Sequence, residues 1–172
     1  MKKYCLLLCF YLLVFNVNSG VLLDDLAGAV RTFWTDSNGL PSNLILDIVQ
    51  DDIGYIWLAS YDGLIRFDGL TFTKFTKAEY GFTGLSPRVL CKGNDGSLWI
   101  GTNASGLYNY KDKKFIHYGA ESGLPNVSIR ALKFDDNNRL WVGTAGGLAY
   151  LNDEGQFMAL SSEVNSALGT IS

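Results

Sequence analysis

The chain has 172 residues, 48% of them hydrophobic and 18% charged, with a formal net charge of −3. That balance describes a globular chain long enough for one core, and it excludes both a disordered polymer and a bundle of membrane spans. No block of basic residues is present, so no nucleic-acid partner, which needs a positive patch, is expected.

Lys2 and Lys3 precede an apolar run from Tyr4 to Phe15, followed by Asn16, Asn18, Ser19 and Gly20. A short positive end, an apolar stretch too short to span comfortably and then small residues read as a secretory signal over residues 1–19. A retained N-terminal anchor is the alternative. Both place the remainder outside the cytoplasm, periplasmic or secreted. Without Lys2 and Lys3, 12 basic residues oppose 17 acidic ones, a charge of about −5. Cys5 and Cys9 leave with the signal, so Cys91 has no partner for an internal disulfide. In VLCKG it alternates with Val89 as a small apolar strand residue, not a nucleophile.

RTFWT, Arg31 to Thr35, reads as a strand, and then one pattern recurs three times. Each unit opens with a loop: NGLPSN (Asn38–Asn43), TGLSPR (Thr83–Arg88) and SGLPNV (Ser122–Val127). A β-rich run follows, LILDIVQ, RVLCKG or IRALKF, and then a tight turn, DDIG, NDG or DDNN. The tryptophan strand comes next, with Trp57, Trp99 and Trp141 spaced 42 residues apart. A small-residue turn leads to Gly63, Gly106 or Gly147, each followed by leucine. A third strand runs through IRFDG, YNYKD or AYLND, and a last one holds Phe72, Phe115 or Phe157.

Four short antiparallel strands per period of about 42 residues predict blades of a β-propeller, an all-β fold. The tryptophans and the glycines at 63, 106 and 147 are expected in the blade core. Gly101 and Gly143 stand where a side chain would strike the neighbouring blade or turn, with Ala59 as their equivalent. The expected divisions are residues 31–75 (the first strand and blade 1), 76–118 (blade 2), 119–160 (blade 3) and 161–172, which begins a fourth repeat. Aligned on Gly39 and Gly123, Trp34 matches Tyr118, so RTFWT reads as the closing strand of a last blade. The expectation is an incomplete ring of about seven blades, cut from a longer protein. Closure by oligomerisation is the alternative, since three blades leave apolar faces and strand edges open.

FWTDSNGLPSN and DIVQDDIGYIWLASYDGLIRFDG resemble the two-component regulator propeller repeat, worded GLPSN and then QDxxGxxWxGTxxGLxRFDG. The likeness runs from about residue 31 to 160. It departs at Ala59–Ser60, in place of Gly-Thr, and at TGLSP in the second unit. The resemblance implies the N-terminal part of the periplasmic sensor region of a receptor. Its further propeller blades, membrane span and cytoplasmic histidine kinase or diguanylate cyclase would lie downstream, and in gut-bacterial members the ligands are oligosaccharides. The membrane would be reached only through that downstream segment. WD-repeat, sialidase and quinoprotein wordings fit less well, because Leu58, Ile100 or Val142 follows the tryptophan and NDGSLW lacks the sialidase spacing.

Catalysis has little to work with. His117 is the only histidine, expected solvated on an outermost strand, and no cofactor or metal is expected. The pairs Asp51–Asp52 and Asp135–Asp136 lack calcium-loop spacing and read as hairpin caps. Binding falls more naturally on the face shared by the GLPSN-type loops and the turns after the tryptophan strands. Candidates there are Asn43, Tyr61, Asp62, Arg88, Asn103, Asn126 and Arg130. Arg88 and Arg130 share a blade position held by Leu46 in the first unit. Such a fork clamps a carboxylate or sugar hydroxyls, or else bridges two blades or ends exposed. The function expected is non-enzymatic sensing of a small molecule or oligosaccharide. A structural or protein-interaction propeller is the alternative, and a carbohydrate-active enzyme stands third.

Overall fold

A computed structural model describes residues 32–84 and 86–160. The expected signal segment 1–19, Arg31 and the tail 161–172 lie outside the described residues. Twelve strands form three four-stranded antiparallel sheets in chain order. The first holds β1 (Ile45–Gln50), β2 (Ile56–Ser60), β3 (Gly63–Phe67) and β4 (Phe72–Phe75). The second holds β5 (Pro87–Lys92), β6 (Leu98–Thr102), β7 (Leu107–Lys111) and β8 (Lys114–Tyr118). The third holds β9 (Ile129–Phe134), β10 (Leu140–Thr144), β11 (Gly147–Leu151) and β12 (Phe157–Ala159). Each is a propeller blade, as the repeat predicts.

The turns explain why these segments pair. Asp51 Oδ1 accepts from the amides of Ile53 and Tyr55, and Asp135 Oδ1 from those of Asn137 and Arg139. The first aspartate of each acidic pair is therefore a hairpin cap. The second oxygen reaches further: Trp57 Nε1 donates to Asp51 Oδ2 and Trp141 Nε1 to Asp135 Oδ2, both at 2.8 Å. One carboxylate thus closes the turn and holds the indole. Gly93 occupies this place in the second blade. There Asp95 caps Ser97 and bonds Lys111 Nζ at 2.7 Å. At the other end of each tryptophan strand, the hydroxyls of Ser60, Thr102 and Thr144 donate to the carbonyls of Gly63, Gly106 and Gly147.

The cores lie between blades. One joins Trp57, Ala59, Leu64 and Phe75 of the first blade to Leu90, Leu98, Ile100 and Tyr108 of the second. The other joins Trp99 and Leu107 to Ile129, Leu132, Leu140, Val142 and Phe157 of the third. Leu90 and Leu132 pack on the preceding blade and are 7% and 9% exposed, whereas Ile48, in the same register, is 62% exposed. Burial of such a side chain stabilises by about 2 kcal/mol. That gain therefore depends on the neighbouring sheet and not on the blade's own fold. Gly101 sits in this seam, where a Cβ would lie 2.5 Å from Ile129 of the third blade. The expected close approach holds there.

Thr32–Thr35 pairs with none of β1–β12, and the last blade that the sequence reading has it close is not among the three described sheets. Trp34 packs edge-on against Phe67 and Phe72. One sequence reading is corrected: the second loop is displaced from TGLSPR. Gly39, Gly81 and Gly123 all end a short helical turn in the left-handed conformation, each six residues before its first strand residue. Gly81–Phe82 is therefore the counterpart of Gly-Leu at 39–40 and 123–124. Buried Phe82 takes the role of Leu124. A four-residue helix, Lys77–Tyr80, precedes it, where the sequence carries no helical period.

Candidate functional site

The loops entering each blade and the turns after the tryptophan strands share one face. Backbone hydrogen bonds join them: Tyr61 N to Leu44 O, Asn103 N to Ser86 O and Ala145 N to Ser128 O, at 3.2, 3.1 and 2.9 Å. All seven sequence candidates sit on or beside these segments.

They divide by what their side chains already do. Asn43 Oδ1 accepts from the Asp36 amide and Asn126 Oδ1 from the Ser128 amide, so both shape their own loops. Tyr61, Asp62 and Asn103 are exposed. Arg88 and Arg130 differ from the rest. Each inner strand breaks register at one residue, between Ile45 and Asp47, between Pro87 and Val89, and between Ile129 and Ala131. The extra residues are Leu46, Arg88 and Arg130. A bulge re-aims its side chain away from the pleat. Here the same bulge recurs in all three blades, twice carrying a guanidinium. Neither arginine makes an ion pair or hydrogen bond among the described residues, so the blade-to-blade bridge weighed as their alternative role is not made.

Other candidates prove structural. His117 lies on the outermost strand, as expected. It is more than a solvated side chain: its ring stacks on Tyr108 at 4.5 Å, and Nε2 donates to the Ser105 carbonyl at 2.7 Å. Cys91 packs against the second core, and burial pushes its thiol up, which suits a core residue and not a nucleophile. Lys92 pairs with Asp52 across the first two blades. Burial acts to raise the Asp95 carboxyl, but Lys111 and Ser97 outweigh it and hold the group at about 2. Among the described residues no group of acidic, histidine or cysteine side chains is arranged to hold a metal ion.

A cavity of about 700 Å³ opens elsewhere, among the turns on the opposite face, between the first and second blades. None of the seven candidates lines it. Its residues include Arg66, Tyr55, Trp57, Phe75, Tyr80 and Tyr110. Sequence reasoning passed over them because the aromatics read as core and Arg66 as part of a repeated phrase.

Comparison with known proteins gives this geometry its context. Residues 39–62 and 123–146 match the two-component regulator propeller family. A curated relative, histidine kinase P4 of Formosa agariphila, is 38% identical over 53 residues, which is 31% of this chain and 4% of the kinase. Among solved structures, the extracellular domain assigned to a hybrid two-component system of B. thetaiotaomicron superposes with a TM-score of 0.61 at 24% identity. The match covers 76% of this chain and 18% of that one. Virginiamycin B lyase from Staphylococcus aureus superposes with a TM-score of 0.59 at 15% identity, covering 79% of this chain and 46% of the lyase. The chain thus spans less than half the length of each of these relatives. The matched segments are the loop and first hairpin of blades one and three, and the second blade repeats their strand order and register. Residues 39–62 and 123–146 therefore carry the two-component regulator propeller repeat.

Proposed function

We propose that the chain is a non-enzymatic, ligand-sensing propeller segment of an exported, periplasmic or secreted, signal receptor. It takes a small molecule or oligosaccharide on its loop face and acts with further blades and a downstream kinase or cyclase module. The observation that carries the ligand reading is the recurrent bulge, which presents Arg88 and Arg130 without side-chain partners among the described residues, beside the blade-entry loops. A planar guanidinium fork suits carboxylates and vicinal hydroxyls. The receptor reading is supported by the histidine kinase and the extracellular two-component domain among the relatives. The fold alone does not decide the matter, since a lyase shares it.

Screening the full chain against an array of neutral and acidic oligosaccharides tests the ligand reading. Binding should weaken roughly tenfold in the Arg88→Ala/Arg130→Ala double variant, with its unfolding transition unchanged. Undiminished binding would overturn it. An antibody raised against residues 34–160 tests the receptor reading in the encoding host, where a membrane-bound product much longer than 172 residues is expected. A second reading, a propeller that contacts protein and no small ligand, draws on exposed Leu44, Leu46 and Ile48 along the first blade. It predicts an array with no hits and a concentration-dependent assembly in solution.

A further inference from the structure

We infer that the cavity between the first two blades is a second binding site, for a small carboxylate carried on a flat apolar ring. Arg66 stands directly opposite Trp57 in the β2–β3 register. Its guanidinium carbon lies 4.4 Å over the Tyr55 ring and 5.7 Å from the rings of Trp57 and Phe75. Its Nε is buried without a hydrogen-bond partner among the described residues. Asp51, which shares the wall with Asp95 and Asp112, already accepts from two amides and the Trp57 indole. Asp95, on the same wall, is paired with Lys111.

The rival role for Arg66 is a rivet that stacks on Tyr55 and does nothing else. The third blade argues against that as sufficient. There the pair is swapped: Arg139 takes the place of Tyr55 and Tyr150 that of Arg66, with the guanidinium 4.9 Å from the ring. Stacking is therefore achieved with the charge on the exposed turn residue. The second blade has Asn109 at this position, opposite Trp99. The blade thus folds without an inward arginine. In the first blade alone this arginine lines a cavity, its Nε buried and given no acceptor among the described residues, a state that an incoming carboxylate relieves.

The walls set the rest of the ligand. Tyr55, Trp57, Phe75, Tyr80 and Tyr110 line it, an aromatic wall suited to the apolar face of a sugar ring or an arene. The volume, about 700 Å³, admits one or two such rings. Sugar acids and aromatic acids share this chemistry, and the site is independent of the loop-face reading.

The test titrates the full chain with sodium galacturonate and, separately, sodium benzoate, beside the neutral galactose and benzyl alcohol. Calorimetry and the arginine Nε–H resonances in the NMR spectrum report binding. At least one acid should bind in the millimolar range or tighter and shift the Arg66 Nε–H, with its neutral counterpart roughly tenfold weaker. Galacturonate alone would mark a sugar acid as the occupant, benzoate alone an aromatic one. Arg66→Met should lose about tenfold or more and Arg66→Lys less. If neither acid moves the Arg66 resonance of the wild-type chain at about 10 mM, the inference fails, whatever the variants do. It also fails if folded Arg66→Met binds as tightly as wild type.

Discussion

The Trp34 indole meets the Phe72 ring edge-on, with centroids 5.3 Å apart and planes at 80°. Tyr118 meets Phe157 in the same way, at 5.2 Å and 84°, and Phe75 meets Phe115 at 5.9 Å and 78°. Phe75 and Tyr118 end the last strands of the first two blades, and Phe115 and Phe157 stand at or next to the start of the last strand of the blade that follows. Trp34 fills the place of Phe75 and Tyr118 for the first blade without belonging to a strand, so the seam is a side-chain contact before it is a sheet. Trp34→Ala should destabilise by about 2 kcal/mol, less than full core truncation because the ring is 39% exposed. Trp34→Tyr, which mimics Tyr118, should stay within about 1 kcal/mol. Urea unfolding of the two variants decides this.

Asp47 makes a different kind of seam. Its Oδ2 accepts from the Leu90 amide at 2.7 Å, joining the innermost strands of the first two blades. An inner strand turns half its amides away from its own sheet, and this one would otherwise be an open edge donor. Val89 and Ala131 hold the equivalent position in the other blades, so the bond exists once. Asp47→Ala should cost about 1.5–3 kcal/mol, the range for a bond to a charged group. Asp62→Ala, on the exposed loop face, should stay within about 0.5 kcal/mol. Equal losses in the two would remove the seam from the account.

Gly101 and Ala59 occupy the same blade position with opposite tolerances. A methyl at Gly101 would lie 2.5 Å from Ile129 and 2.6 Å from Val89, whereas the Ala59 methyl is already buried in the first core. Gly101→Ala should therefore destabilise by about 1–3 kcal/mol through overpacking. Ala59→Gly should cost about 1 kcal/mol through backbone entropy and a lost contact. A neutral Gly101→Ala in thermal unfolding would mean that the second and third blades pack more loosely than described.

Acid should loosen the turns in a defined window. Amides of Thr71 and Leu70 lower the Asp68 carboxyl, the Trp141 indole and the Arg139 amide lower that of Asp135, and Asp95 stands at about 2. Each is more acidic folded than its unfolded value of about 3.9. Their contribution is therefore complete about one unit above that value and is lost as pH falls through the folded values, which for Asp95 means through about 2. Replacing all three with Asn should lower Tm at pH 6, and the gap to wild type should narrow steadily by pH 2.5. A gap that stays constant with pH would show that these carboxylates act only through geometry.

Much of the fold was legible because repetition exposes it. Three tryptophans at one spacing, with turn residues between period-two runs, leave a four-stranded blade as the simple reading, and the strand order follows from the short turns. The roles of Asp51 and Asp135 as caps were equally local. The bulge that singles out Arg88 and Arg130 was not legible, since a shift of register is a relation between two strands and leaves no mark in one. Nor was the second loop: TGLSPR imitates the repeated wording, yet Gly81 carries the left-handed turn because a four-residue helix ends there.

What the sequence by itself determined, then, is everything set by neighbours along the chain: the blade, its turns, its period and its family wording. Tertiary structure alone decided which apolar faces are covered, where Asp47 finds its donor and why Arg66 faces a cavity. The physical reason is that burial and hydrogen-bond satisfaction arise here between sheets some 42 residues apart in sequence, where side-chain periodicity tells which face a residue takes but not what meets it.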